Sequence, residues 1–208
     1  MRRVPTRIVR QECDPKARAT SRISGDVAQD ALAAEMLTEA AVSATMRGVR
    51  FSVEQGRQTL VFCVSVDQAR LVAARCNAEN IPAAAVYSAM GMDARREALR
   101  RHQDGTLQVL TNFGVLTEGY DSPIVSGVVV ARPTRNRQLY IQCVGRGLRT
   151  RCGCGSTQQD PPCSCAKADC LIVDMVGAHE AHGLVTADTL LEYSPEELEA
   201  IVEEEEPR

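Results

Sequence analysis

The chain has 208 residues and a mass of 22.6 kDa, enough for one α/β domain with extensions and too little for two large domains. A formal net charge of -3 with a pI near 5.7 excludes a uniformly basic nucleic-acid binder and leaves only a local basic groove. Aromatic residues are 3% of the chain and Trp 0, so few rings are available for stacking on bases, and stacking-based single-strand recognition is disfavoured.

No run approaches the ~20 apolar residues of a membrane span, and no apolar segment follows the basic start as in a secretory signal. The expectation is therefore a soluble, intracellular protein with no membrane partner. The opening "MRRVPTRIVR" is Arg-rich and acid-free, which suits an organelle transit peptide or, as the reading preferred here, an opening β-strand. Residues 11 to 56 contain no strong strand. The stretch "DVAQDALAAEMLTEAAVSATMRGV" is Ala-rich, with helical spacing at Leu32, Met36 and Ala40, and predicts helices. Residues 1–57 thus form a strand and helical lead-in arm.

From Gln58 the pattern changes. "TLVFCVSV", "AAAVYS", "LQVLT", "GVVVAR" and "DCLIVDMV" are short apolar runs, as expected of strands buried on both faces. Helices are predicted between them over 67–79, 92–104 and 139–150, with a short one near 114–118. Strands alternating with helices imply a parallel sheet covered on both faces, with ligands expected at the carboxyl ends of the strands. The loops after Val66, Ser88, Thr111 and Arg132 then share one rim. Residues 151–168, "RCGCGSTQQDPPCSCAKA", read as a Cys-rich loop inserted in a domain spanning 58–192. The remainder, 193–208, is an acidic tail with a Ser at the candidate N-cap of its "SPEELEAIVEEEE" stretch.

Three rim stretches carry polar groups suited to a ligand. In "VFCVSVDQA" Ser65 sits between strand and helix, where it can cap the helix or take a phosphate. In "VLTNFGVLTEGYDSP" Thr111 and Asn112 stand at a strand end, followed by Gly119, Asp121 and Pro123. Thr and Asn can hold a phosphate and Asp a ribose hydroxyl, although a tight turn uses the same Gly, Asp and Pro. In "YIQCVGRGLRT" a helix would place Gln142, Arg146 and Arg149 on one polar stripe and Ile141, Val144 and Leu148 on an apolar one. Paired guanidiniums match the oxygens of a transferring phosphoryl group, or form a solvated face with salt bridges. Gly145 and Gly147 each cost a helix about 1 kcal/mol relative to Ala, so close backbone approach should justify them.

Together and in this order, the three stretches resemble motifs IV, V and VI of the C-terminal RecA-like lobe of a superfamily 2, DEAD/DEAH-like helicase. "LVFCVSV" is similar to motif IV, "VLTNFGVLTEGYDSP" to motif V, and "YIQCVGRGLRT" to motif VI in its Q-x-x-G-R-G-x-R form. The resemblance covers roughly 58 to 175, including "ADCLIVDMVG" as the closing strand. It implies a RecA-like parallel sheet and a role in a nucleic-acid-dependent ATPase. It further implies that Arg146 and Arg149 act as arginine fingers toward the γ-phosphate of ATP, with Gln142 sensing the same phosphate or its attacking water. Gly119, Asp121 and Gly145 fall at nucleotide-side positions, and Ser65, Thr111 and Asn112 where the family touches the backbone of a DNA or RNA strand. Cys143 within motif VI and the Cys-rich insert depart from the family pattern.

An ATPase of this type also needs a phosphate loop G-x-x-x-x-G-K-[ST] and an acidic Mg²⁺ motif. The only lysines are Lys16 and Lys167, and neither follows a glycine loop. ATP with Mg would therefore be held mainly by a first RecA-like lobe, in cis or in trans, and this chain alone should not hydrolyse it. The rival readings are a degenerate, non-catalytic lobe that binds nucleic acid or protein, and a Rossmann-type cofactor enzyme, which lacks its G-x-G-x-x-G here. Of nine cysteines, most fit reduced thiols. Cys152, Cys154, Cys163 and Cys165 could make a zinc site, but C-x-C spacing is tighter than the usual C-x₂₋₄-C. A surface insert with free thiols is the alternative. His102, His179 and His182 have no partner spacing with them and read as surface or helix-end residues.

Overall fold

The computed structural model describes residues 6–10, 29–116, 120, 122–134, 136–148 and 169–175. They form strands β1 (Thr6–Arg10), β2 (Gln58–Cys63), β3 (Ala83–Tyr87), β4 (Val109–Phe113), β5 (Val125–Ala131) and β6 (Cys170–Asp174). The helices are α1 (Gln29–Met36), α2 (Glu39–Glu54), α3 (Val66–Ala78), α4 (Met92–Gln103) and α5 (Arg137–Gly145). All six strands join one sheet in the order β1-β6-β5-β2-β4-β3, and every pairing is parallel.

Parallel strands send alternate side chains to opposite faces, so both faces must be covered. Val61, Val129 and Val173 face a core shared with Val42, Met46 and Val49 of α2 and Val72 of α3. Leu60, Phe62, Val128 and Ile172 face a second core with Ala98 of α4 and Tyr140 and Val144 of α5. At this burial, truncating Phe62 to Ala would cost about 3–5 kcal/mol. The helical lead-in is packed into this body, since the apolar stripe of α2 lies in the first core, and β1 closes the sheet edge beside β6.

Local chemistry sets the helix starts. The Thr38 hydroxyl accepts from the Ala41 N–H at 3.4 Å, that of Ser65 from the Gln68 N–H at 3.1 Å, and the Asn136 amide oxygen from the Leu139 N–H at 3.0 Å. Each satisfies a donor that a helix start leaves orphaned. Because Asn136 caps, α5 begins at Arg137, earlier than the 139 predicted from periodicity. The short helix expected near 114–118 is not formed over its described residues 114–116. Gly114 there has φ of 70°, a left-handed conformation that breaks a helix.

With all strands parallel, their carboxyl ends share one rim. The connection leaving β2 runs through α3 toward β3, while that leaving β5 runs through α5 toward β6 on the other side. β2 and β5 are neighbours, so their outgoing connections diverge and open a crevice between Ser65 and Arg132. Such a switch point is where sheets of this kind hold ligands.

Candidate functional site

The expected arginine stripe is not built as a straight α-helix would build it. After Gly145 the bonds tighten to a three-residue span: the Arg146 N–H donates to the Cys143 carbonyl at 3.3 Å, Gly147 to Val144 at 3.0 Å and Leu148 to Gly145 at 3.3 Å. In this 3₁₀-like turn residues three apart eclipse, so Arg146 follows Cys143, which is buried, and is drawn inward. Arg146 is only 9% exposed, a correction to the expectation that it stands on a polar stripe opposite the apolar one. Its Nη1 donates to the Tyr120 carbonyl at 3.1 Å. This contact ties the α5 end to the loop between β4 and β5, so the second and third rim stretches meet.

Tyr120 is itself held from the other side. The His102 ring is fully buried at the end of α4, with Nδ1 2.9 Å from the Tyr120 hydroxyl and Nε2 3.3 Å from the Thr59 carbonyl. A carbonyl only accepts, so Nε2 carries the proton and Nδ1 accepts from the phenol. Burial pushes the His102 pKa down to about 4, which keeps the ring neutral, and burial likewise raises that of Tyr120. His102 is thus a helix-end residue as expected, but not a surface one. On α4 only Ala98 and His102 are buried; their i, i+4 spacing was the available signal. Nothing in the sequence singles out Tyr120 as their partner.

The glycines of this turn differ. A Cβ on Gly147 would lie 2.4 Å from Cys170 Sγ and 2.7 Å from Val128 Cγ2, whereas one on Gly145 meets nothing within 4 Å. Close backbone approach therefore explains Gly147 and not Gly145. Gln142 is half-buried on α5. Burial, opposed by nearby Arg132 and Arg146, pushes the Cys143 thiol up to about 12, so it is not a ready nucleophile.

Thr111 and Asn112 lie inside β4, not at its end, because the strand starts at Val109 and runs to Phe113. Both are buried. Thr111 Oγ1 donates to the Ala69 carbonyl at 2.7 Å, and Asn112 Nδ2 to the Val61 carbonyl at 3.0 Å. Neither side chain reaches the rim, which corrects the expectation of strand contacts from them. Ser65 does border the crevice, where its hydroxyl oxygen caps α3. Missed by sequence reasoning is Gln68: its Oε1 accepts from the Val64 N–H at 2.8 Å and its Nε2 donates to the Ala131 carbonyl at 3.3 Å, pinning the crevice walls together. Gly119, Asp121 and Arg149 lie outside the described residues, as do Cys152, Cys154, Cys163 and Cys165. Among the described residues no group of three or more His, Cys, Asp or Glu could hold a metal ion, and no helix is long and apolar enough to cross a membrane.

The sequence model of the family described as helicase conserved C-terminal domain matches residues 39–151. The IRC3 ATP-dependent helicase of Saccharomyces cerevisiae is 34% identical over 105 residues, 50% of this chain and 13% of that protein. The mitochondrial irc3 helicase of Schizosaccharomyces pombe is 30% identical over 171 residues, 82% of this chain and 26% of that protein. The chain thus spans about a quarter or less of these relatives. Among solved structures, the yeast DEAD-box splicing factor Prp28 superposes with a TM-score of 0.57 at 14% identity, over 91% of this chain and 32% of that one. Saccharomyces cerevisiae Dbp5 bound to RNA and ADP BeF3 gives 0.51 at 15% identity, over 68% of this chain and 34% of that one. At these identities the two structures establish the fold, a RecA-like lobe.

Proposed function

The chain belongs to the helicase conserved C-terminal domain family, and from that premise we propose that it is the second lobe of a nucleic-acid-dependent ATPase. Arg146 and Arg149, with Gln142, meet the terminal phosphate of an ATP held with Mg²⁺ on a first lobe, and the carboxyl rim of the sheet carries a DNA or RNA strand. The observation that carries this reading is the bond from Arg146 Nη1 to the Tyr120 carbonyl. It fixes a guanidinium against Tyr120, within the motif V stretch, and so supports a phosphate-facing role for Arg146.

The donor set fits the phosphate end of a nucleotide. Guanidinium and amide N–H groups suit phosphate oxygens, and bound ATP supplies the phosphoryl group to be transferred to water. What this chain's own groups do is orient and neutralise. Arg146, already positioned by Tyr120, offsets negative charge on the equatorial oxygens, and Gln142 on the same helix orients the attacking water. Opening and closing of the two lobes would shift the rim along the strand, in the manner of hinge closure around a ligand. The likeness to a mitochondrial helicase makes an organelle one candidate compartment.

The test is a fusion of this chain behind the first lobe of the fission-yeast irc3 helicase, whose ATPase is measured with and without single-stranded DNA or RNA. The chain alone should show no ATPase, and the fusion should show stimulated turnover. Arg146→Ala and Arg149→Ala should each lower that turnover ~10³-fold or more. Unchanged turnover in both variants of a folded, active fusion would remove the arginine-finger role.

A further inference from the structure

Two arginines at the sheet rim behave unlike their neighbours. Arg50, Arg57, Arg75, Arg96 and Arg100 each pair with a carboxylate. Arg70 and Arg132 form no such pair among the described residues, as is also true of Arg95 and Arg101, but each lies over an aromatic ring. The Arg70 guanidinium carbon is 4.8 Å from the Tyr87 ring centroid, and that of Arg132 is 5.8 Å from the Phe113 centroid. Arg70 also donates from Nη2 to the Tyr87 hydroxyl.

The rings are neighbours. Tyr87 and Phe113 are the last residues of β3 and β4 and are register partners, so they leave adjacent parallel strands on the same face. Arg132 follows β5 and reaches Phe113 across the end of β2, since the order there is β5-β2-β4-β3. Arg132, Phe113 and Tyr87 therefore follow one another across the rim over three strand spacings of roughly 4.8 Å each, and Arg70, from α3, lies over Tyr87. All four side chains are exposed or half-exposed, whereas Phe62, Tyr120 and Tyr140 are buried. Ser65 borders the same row.

We propose that this row is a stacking platform for two to three bases of a single-stranded nucleic acid. The inference rests on the strand-binding role given above and deepens it from backbone contact to base contact. Guanidinium planes pinned over rings stack bases and neutralise phosphates, in a sequence-tolerant way because every base has a π-face. An anionic strand complements two cations that have no carboxylate partner among the described residues, whereas a duplex keeps its bases inside.

Fluorescence anisotropy of the full chain with a labelled 20-nucleotide thymidine oligomer and its abasic counterpart distinguishes the possibilities. Both carry the same phosphates. The intact oligomer should bind at least ~5-fold more tightly, the lower end of the range for stacking of a single base. Tyr87→Leu and Phe113→Leu should each reduce that ratio, and circular dichroism should show both folded. Equal binding of intact and abasic oligomers by the unaltered protein would overturn the platform and leave the backbone-binding role intact. So would a duplex binding as tightly as the single strand. Binding of neither oligomer would overturn both readings.

Discussion

Replacing His102 by Phe keeps a buried ring and removes both of its hydrogen bonds. At pH 7.5 the Tyr120 hydroxyl then loses its acceptor, and a buried polar group left unsatisfied costs about 1–3 kcal/mol. The wild-type protein has a liability the variant lacks. Its folded-state pKa is about 4, below the ~6.5 of an unfolded histidine, so between these values the unfolded chain binds the extra proton and stability falls as pH falls. The stability conferred by a neutral His102 is complete above pH 6.5. The gap, at ~1.36 kcal/mol per pH unit, corresponds to about 3 kcal/mol lost in full below pH 4, of which about 2 kcal/mol is lost by pH 5. Urea unfolding followed by far-UV circular dichroism at pH 7.5, 6.5, 5.5 and 4.5 should show the His102→Phe protein less stable at the top of the range. The two stability curves should then converge as pH falls, because the carboxylates of Glu97 and Asp104, held below their usual range by hydrogen bonds from Arg100 and Thr106 respectively, titrate alike in both proteins. Parallel curves would refute a neutral buried imidazole accepting from Tyr120.

Gly147→Ala should destabilise by about 1–3 kcal/mol through overpacking against Cys170 and Val128, while Gly145→Ala should be neutral or stabilising by up to ~1 kcal/mol; thermal melts of the two variants check the contrast. Cys76 and Cys143, pushed up to about 12 by burial, and Cys63, raised further by burial, should stay unmodified during brief iodoacetamide treatment of the native protein at pH 7.5, and react once urea is added, as read by peptide mass spectrometry. Tyr140→Phe removes the 2.9 Å bond from its hydroxyl to the buried Asp174 carboxyl and should cost about 1–3 kcal/mol in urea unfolding.

The sheet was legible because a strand buried on both faces leaves an unbroken apolar run, and each of "LVFC", "AAVY", "VVVA" and "LIVD" lies within an observed strand. The run "LQVLT" misled at its start. Leu107 is buried but belongs to the turn, where the Leu107 N–H donates to the Arg101 carbonyl, so the strand begins later and carries Thr111 and Asn112 inside. Apolar composition records burial without saying which buried residue is in the ladder. The fate of Arg146 was hidden for a different reason. Helical periodicity places it beside Gln142 only while the helix keeps 3.6 residues per turn, and the tightened turn after Gly145 brings the Gly147 backbone close to Val128 of β5 and Cys170 of β6, far away in sequence. The His102–Tyr120 bond and the two guanidinium–ring pairs join separate elements in the same way, and no local pattern encodes them.

The burial of Arg146 bears on how well an arginine finger could work. A free arginine side chain carries ~2 kcal/mol of rotamer entropy, which a solvated finger would surrender at each closure on a phosphate. Here folding has already fixed it: Nη1 is bonded to the Tyr120 carbonyl, and Tyr120 is anchored through its phenol to His102. On the proposed function, the guanidinium therefore meets developing charge with little reorganisation, which is the condition under which fixed donors stabilise a transition state most strongly. The same anchoring predicts that a substitution at His102, remote from the rim and from any phosphate, acts on turnover through the position of the Tyr120 carbonyl.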